Sequence, residues 1–393
     1  MHKGKVKVLN VLTVMREGGM EKLISSIYKG LSKTGDFDLY VCTMVDPGEN
    51  FLMDDFRKIP SEVYVLGLKN HSLNFKDYFV IIAKTFKLAR YIARNKFDVV
   101  HSHDFYAAFV TRIAVLISIL LFWFKPKKVY VTLHNLFFWL SKWSFFANRL
   151  LSHITDKIVC VSKSVLESSL KQDRIRNDKY LVIYNSIDEN IYKPHPEMNT
   201  EYRKLLGFNE SDFIIGNVAT LSFRKGQKYL LEAFAGISNE FPHARLAVFG
   251  GLRSYETDTQ EAIQKIISES GIADKVRFFD PRDDIKYIYN IFDLYVMSSI
   301  TEGLSLAAIE AMINERVCIF SSIGPFQELV EDGRNGLIFR SQDSTDLASK
   351  MRAVMSDPGA YSSMAKQARS SLLNVFSYSK MINSYSELYG NLN

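Results

Sequence analysis

Glu302 and Glu310, with seven residues between them, carry the sharpest chemical signal in this chain of 393 residues. They fall in Ser298-Ser299-Ile300-Thr301-Glu302-Gly303-Leu304-Ser305-Leu306-Ala307-Ala308-Ile309-Glu310-Ala311-Met312. Glu302 precedes a glycine turn, and Glu310 sits inside a helical run of Leu, Ala, Ile and Met. A carboxylate in such apolar company is costly unless it meets hydrogen-bond donors or a cation. Sugar and ribose hydroxyls are suitable donors, because one carboxylate accepts from two neighbouring hydroxyls. The backbone N–H groups of Gly303, Leu304 and Ser305, at the start of the helix, suit a phosphate. The bland alternative for Glu310 is an internal pair with an Arg or Lys.

Three further clusters have the composition of sites. Arg224-Lys225-Gly226 puts two cations before a glycine that opens a helix, which reads either as a diphosphate clamp or as a solvated basic turn. Gly18-Gly19, in Arg16-Glu17-Gly18-Gly19-Met20-Glu21, lets backbone approach a ligand closely, or simply makes a turn. It is not a full G-x-G-x-x-G, which disfavours a nicotinamide or flavin. His134 ends one strand candidate, and His101 and His103 end another, either as structural groups or as part of a site. Asp36-Phe37-Asp38 has the form of a D-x-D metal motif but precedes a strand far from Glu302, so a solvated loop is expected there.

The elements that must position these groups alternate along the chain. Strands are expected at Val6–Val14, Leu39–Thr43, Val99–Ser102, Val129–Leu133, Ile158–Ser162 and Leu181–Tyr184, with helices at Glu21–Leu31, Lys76–Arg94 and Phe105–Phe124. A second series follows Asn185-Ser186-Ile187-Asp188. Its strands are Phe213–Val218, Leu246–Gly250, Val276–Phe279, Leu294–Ser298, Val317–Ser321 and Gly336–Phe339; its helices are Gly226–Asn239, Thr259–Ser270 and Leu304–Ile313. That rhythm predicts an α/β chain of two doubly wound domains, 1–190 and 191–375, facing a central cleft, with a final helix over 376–393 that caps the second domain or crosses back to the first. Ligands of such sheets sit outside the carboxyl ends of the strands.

Composition narrows the field. At 47% hydrophobic and 23% charged residues the chain is an ordinary folded protein. A net charge of +6 without a Lys/Arg stripe interleaved with aromatics excludes nucleic acid as the expected partner. Three scattered cysteines, Cys42, Cys160 and Cys318, predict no disulfide framework or zinc knuckle and fit a cytoplasmic setting. No helix is expected to span a bilayer clearly.

At these residues the chain resembles the retaining glycosyltransferases of the GT-B fold, glycosyltransferase family 4. The spacing of Glu302 and Glu310 matches the family's hallmark. Asp293-Leu294-Tyr295-Val296-Met297-Ser298-Ser299 and Glu328-Leu329-Val330-Glu331-Asp332-Gly333-Arg334-Asn335-Gly336 flank it as in the family. Gly18-Gly19-Met20-Glu21, His101-Ser102-His103-Asp104, Val161-Ser162, Tyr184-Asn185-Ser186-Ile187-Asp188 and Lys225-Gly226 recur in order, over nearly the whole chain. The resemblance implies retaining, metal-independent transfer of a hexose from a nucleotide-sugar, a UDP- or GDP-sugar, with no cofactor. Glu310 would hold the donor ribose and Glu302 the sugar hydroxyls. Lys225, with the N–H groups of Gly303, Leu304 and Ser305, would neutralise the leaving diphosphate. Gly18 and Gly19 would approach donor or acceptor, His134 would flank the reacting sugar, and Arg282 lies in the stretch near the nucleobase. The family's usual Arg five positions before the Lys is Thr220 here, and Arg224 is the available substitute charge; Asp280 stands where many relatives carry Gly.

The acceptor is expected to be a glycan or a lipid-linked one, in bacterial cell-surface polysaccharide (lipopolysaccharide or capsule) biosynthesis. Ile113–Phe124 is strongly apolar, and Lys125, Lys127 and Lys128 follow it. Phe137, Phe138, Trp139, Leu140, Trp143, Phe145 and Phe146 come next, among Lys142 and Arg149. Such a surface suits a peripheral enzyme on the cytoplasmic face of the inner membrane, contacting it through residues 113–146; a buried core helix is the other reading of its first part. The rival functions are a nucleotide-sugar epimerase on the same architecture and a non-catalytic GT-B-like binding or scaffold subunit.

Overall fold

A computed structural model of the chain describes residues 4–15, 18–46, 48, 53, 56, 58–59, 61–68, 75–136, 142–251 and 256–392. The chain divides into two compact units, one made of Met1–Asn185 with Ser379–Asn393 and the other of Ser186–Tyr378. The change of unit thus falls at Asn185/Ser186, and the last helix, Tyr378–Gly390, is grouped with the first unit from Ser379 onward.

The first unit is built on seven parallel strands: β1 Val6–Leu12, β2 Phe37–Val45, β3 Ser61–Leu68, β4 Val99–His103, β5 Lys128–Leu133, β6 Lys157–Cys160 and β7 Tyr180–Val182. Their order is β3-β2-β1-β4-β5-β6-β7. The second unit has six: β8 Phe213–Val218, β9 Ala244–Phe249, β10 Val276–Phe279, β11 Leu294–Met297, β12 Val317–Ser321 and β13 Leu337–Phe339, ordered β10-β9-β8-β11-β12-β13. In each sheet the winding reverses beside its first strand, between β1 and β4 and between β8 and β11. Ligands of open α/β sheets bind at such switch points.

The strands read as continuous apolar runs because helices cover both faces. Val8, Leu9, Val11 and Leu12 of β1 are all buried, and so is every residue of β4, polar ones included. In the second unit Ile215, Leu246, Val248, Leu294, Val296 and Ile319 pack against Leu230, Phe234 and Ile237 of the helix Gln227–Ile237.

Three local expectations change. β3 was not anticipated; it is an edge strand, and its Gly67 interrupts the pattern at φ 75°. Asp36-Phe37-Asp38 is not a loop: β2 begins at Phe37, the Asp36 carbonyl accepts from Val6 N, and Asp38 pairs with Lys5 at 3.8 Å. The helix Phe105–Phe122 is, among the described residues, the one helix long and apolar enough to cross a membrane by length and composition. It nevertheless buries Ala107, Val110, Ala114, Val115 and a wholly enclosed Arg112 against the first unit's core, while Leu120 and Leu121 at its end are exposed. One helix thus has a part packed in the core and an exposed apolar end.

Candidate active site

At the second unit's switch point two loops are tied together. The first leaves β8 and runs through Thr220 to Gly226; the second leaves β11 and runs from Ser298 to Ser305. Ile300 N donates to the Arg224 carbonyl at 2.8 Å, and the Ser298 hydroxyl donates to the Gly226 carbonyl at 2.8 Å. Gly226 adopts φ 63°, and a Cβ there would lie 2.1 Å from the Ser298 carbonyl oxygen. Only glycine allows the two loops to approach this closely.

The consequence is a short ion pair. Lys225 Nζ lies 2.5 Å from Glu302 Oε1, and the Ser299 hydroxyl donates to the same oxygen at 2.8 Å. The Glu302 side chain is 7% exposed, so the lysine and the hydroxyl replace most of its water. Gly303, Leu304 and Ser305 follow in the same buried loop. Ser305 caps the helix Leu306–Ile313, its hydroxyl accepting from Ala308 N at 3.4 Å. The helix thus begins two residues later than the sequence pattern placed it, because the serine hydroxyl ends the loop.

Glu310, 2% exposed on that helix, finds neither Arg nor Lys as the partner shown: its Oε2 accepts from the Tyr289 hydroxyl at 2.8 Å. Burial, with Glu310 close by, pushes the Tyr289 hydroxyl pKa well up, so Tyr289 remains a donor. Arg282 is clamped by Asp284 at 2.8 and 2.7 Å, which holds the Asp284 carboxyl below the usual carboxylate range and turns the guanidinium to Asp284 rather than to Glu302 or Glu310. Thr220 gives its carbonyl to Gln227 Nε2 at 3.1 Å, and Arg224 enters the loop tie through its backbone carbonyl. A cavity of about 420 Å³ adjoins this loop, lined by Phe223, Gly226, Tyr229, Glu256, Asp258 and Ile300 and not by the two glutamates.

In the first unit Gly18 caps the helix Gly19–Ser32 from an extended conformation, and its carbonyl accepts from Lys22 N at 3.1 Å. A Cβ at Gly18 would meet the Glu21 carboxylate, whereas nothing lies within 4 Å of one at Gly19. Arg16 and Glu17 lie outside the described residues. His134 closes β5 beside the end of β4, where its Nε2 is 3.0 Å from His103 Nδ1. His103 Nε2 in turn is 2.5 Å from Asn10 Oδ1, and His101 lies 2.8 Å from the Tyr389 hydroxyl of the terminal helix. Burial pushes all three histidines far below their ordinary value, His101 and His134 to about 3. Burial thus favours the neutral form of each ring. Among the described residues no cluster of His, Cys, Asp or Glu has the arrangement of a metal site.

The first unit also exposes a broad apolar surface. Phe79, Ile82 and Phe86 lie exposed along the helix Phe75–Asn95, whose opposite residues Leu88, Ala89 and Ile92 are in the core. Phe86 meets Phe122 at 5.4 Å, next to Leu120, Leu121 and a 91% exposed Trp123. Trp143, Phe146 and Leu150 are exposed on the helix Lys142–Leu151, with Lys142 and Arg149 among them. Phe137, Phe138, Trp139 and Leu140 lie outside the described residues. The Phe79–Ile82–Phe86 stripe was missed in the sequence; its signal is a second set of apolar residues at helical spacing, out of phase with the first.

Two parallel sheets in one chain, each reversing beside its first strand, are the architecture of the GT-B fold, and solved structures agree. The crystal structure of Anabaena HepE in complex with UDP and glucose superposes with a TM-score of 0.85 at 20% identity, covering 98% of this chain and 100% of that one. Sucrose-phosphate synthase from Thermosynechococcus elongatus gives 0.81 at 18% identity, with 98% and 99% covered. The family model described as glycosyl transferases group 1 matches residues 198–371, and that of glycosyltransferase family 4 matches residues 17–191. The chain belongs to the group 1, family 4 glycosyltransferases. It is also similar to the UDP-Gal:alpha-D-GlcNAc-diphosphoundecaprenol alpha-1,3-galactosyltransferase of Escherichia coli, 23% identical over 98% of this chain and 97% of that protein. EpsD of Bacillus subtilis is 26% identical over 77% of this chain and 79% of its own length.

Proposed function

We propose that this glycosyltransferase moves a hexose from a nucleotide-sugar, with UDP as the favoured nucleotide, to a lipid-linked glycan acceptor at the cytoplasmic membrane face, with retention of anomeric configuration. The observation that carries the donor half is the loop tie that sets Lys225 against Glu302 at the start of a buried helix. Glu310 takes the ribose hydroxyls alongside Tyr289. Lys225 and the N–H groups at Gly303, Leu304 and Ser305 meet the diphosphate, taking the charge-neutralising role that a divalent cation fills in other transferases. Arg282 stands near the base, Arg224 supplies the charge lacking at Thr220, and Gly18 and Gly19 leave room for donor or acceptor. His134 meets the transferred sugar.

In the reaction the bond from the sugar C1 to the diphosphate oxygen breaks while the acceptor hydroxyl oxygen bonds to C1 from the same face. The departing phosphate takes the hydroxyl proton. No protein nucleophile is needed, and fixed donors aimed at the leaving oxygen lower the barrier without reorganising.

Donor binding tests this directly. Thermal-shift titration with UDP-, GDP- and ADP-sugars is expected to show stabilisation by a UDP-sugar, reduced at least about tenfold in apparent affinity in Glu310→Ala, the loss expected when a charge-assisted hydrogen bond to the ribose goes. No response to any donor sinks the reading and favours a scaffold. Conversion of the donor to its epimer without acceptor would identify an epimerase instead.

The acceptor half rests on the exposed aromatics of the first unit beside Lys125, Lys142 and Arg149, a combination that suits an anionic bilayer interface. The E. coli relative's named acceptor, a diphosphoundecaprenol-linked sugar, agrees with it. Flotation with phosphatidylglycerol vesicles is expected to carry the protein upward, with Trp123→Ser/Trp143→Ser weakening partitioning roughly tenfold or more. A wild-type protein that stays at the bottom of the gradient removes the membrane from the proposal.

A further inference from the structure

The polar interior of the first unit has a proton order that can be read from one end. The Tyr40 carbonyl only accepts, and the Tyr28 hydroxyl lies 2.6 Å from it, so the single Tyr28 proton goes there. Tyr28 must then accept from its other neighbour, Asn10 Nδ2, at 2.7 Å. That orientation turns Asn10 Oδ1 toward His103 Nε2 at 2.5 Å and the Tyr389 hydroxyl at 3.3 Å. An amide oxygen cannot donate, so both neighbours do. The proton on His103 is therefore on Nε2, and its bare Nδ1 faces His134 Nε2 at 3.0 Å. Tyr389, its proton committed, accepts from His101 Nδ1 at 2.8 Å, and His101 Nε2 accepts from the Thr132 hydroxyl at 2.7 Å. The reversed amide would leave Tyr28 with one proton between two acceptors, a mismatch costly in a dry interior.

We propose that this chain of hydrogen bonds fixes His134 as its Nε2–H tautomer, so that Nδ1 serves as an acceptor for a hydroxyl of the sugar, and that Asn10 is the positioning residue that sets it. The consequence for substrate rests on the reading that His134 meets the transferred sugar; the tautomer itself does not. Burial keeps the three rings neutral, so no second ring proton blurs the order. A bare ring nitrogen welcomes a hydroxyl and repels a carboxylate. A neutral hexose is thereby favoured over a uronic acid, and a donor lacking the matching hydroxyl is disfavoured.

The test uses the full chain labelled with 15N-histidine. Two-bond 1H–15N correlation at neutral pH, with the His134 signal assigned by its loss in His134→Gln, is expected to show a protonated Nε2 and an unprotonated Nδ1. A protonated Nδ1 on His134 in the wild type overturns the proposal without any variant having to fold. In Asn10→Asp the carboxylate beside His103 Nε2 stabilises a second proton on that ring, at Nδ1. That proton faces His134 Nε2 and drives His134 to the Nδ1–H tautomer; a folded variant with His134 unchanged overturns the role given to Asn10. With a UDP-hexose donor, kcat/KM of Asn10→Asp is expected to fall about 10- to 100-fold, as when an acceptor facing a substrate hydroxyl becomes a donor. If the tautomer switches while kcat/KM stays within about twofold, the proton order stands and the placement of His134 against the sugar falls.

Discussion

Lys225→Ala is expected to lower kcat by about 10²- to 10³-fold, the loss typical of removing one preorganised group from a developing negative charge. The same substitution leaves Glu302 buried beside Ser299 without its cation. Removing one partner of a buried pair costs about 3–5 kcal/mol where burial is complete, and Lys225 keeps 20% of its side-chain surface, so the lower part of that range is expected. The two effects separate in Lys225→Met/Glu302→Gln, which removes both charges. That double variant is expected to recover most of the melting temperature and none of the rate. Steady-state kinetics beside thermal unfolding measures both. A single variant that loses stability but keeps its kcat would show that Lys225 holds the loops together and nothing more.

Gly226→Ala is the second large effect, and it needs no charge. The new methyl group would sit 2.1 Å from the Ser298 carbonyl oxygen, on a backbone whose φ of 63° already disfavours any side chain. Together these are expected to cost roughly 2–4 kcal/mol, on the order of 10 °C in the melting temperature of a unit this size. The loop cannot relax freely, because Ile300 N and the Ser298 hydroxyl both bond its carbonyls. Displacement therefore passes to Lys225, and activity is expected to fall at temperatures where the protein remains folded. Circular dichroism melting with an activity assay well below the transition checks this; full activity in a stably folded variant would mean the loops accommodate the methyl by separating.

What was legible in the sequence follows a physical line. The loop positions of Lys225, Gly226 and Glu302 at strand ends were readable from the alternation of elements and from glycine's freedom at φ 63°. The alternation of apolar runs gave both sheets except β3, an edge strand with polar and glycine interruptions. Partnerships formed by tertiary folding were not readable. Nothing near Glu310 names Tyr289 as its donor, and nothing near His134 points to Asn10, Tyr28 and Tyr389, which only the winding of the sheet and the terminal helix bring together. The exposed stripe of Phe79, Ile82 and Phe86 was obscured for another reason: the helix Phe75–Asn95 is apolar on two faces, and the buried one accounts for most of its pattern.

The terminal helix bears on how the protein is made. Ser186–Tyr378 is one uninterrupted stretch, so the second unit draws on no segment from elsewhere in the chain. The first unit emerges earlier yet waits for Ser379–Asn393, since Tyr389 supplies a hydroxyl to Asn10 and His101, and the Tyr130 hydroxyl donates to the Leu388 carbonyl. During synthesis the histidine network is therefore left with open hydrogen bonds until the last helix arrives. The first-translated part of the chain thus depends on residues translated after the whole of the second unit, and a chain truncated before Ser379 would keep the second unit's stretch entire while Asn10, His101 and Tyr130 lose the partners that Tyr389 and Leu388 supply.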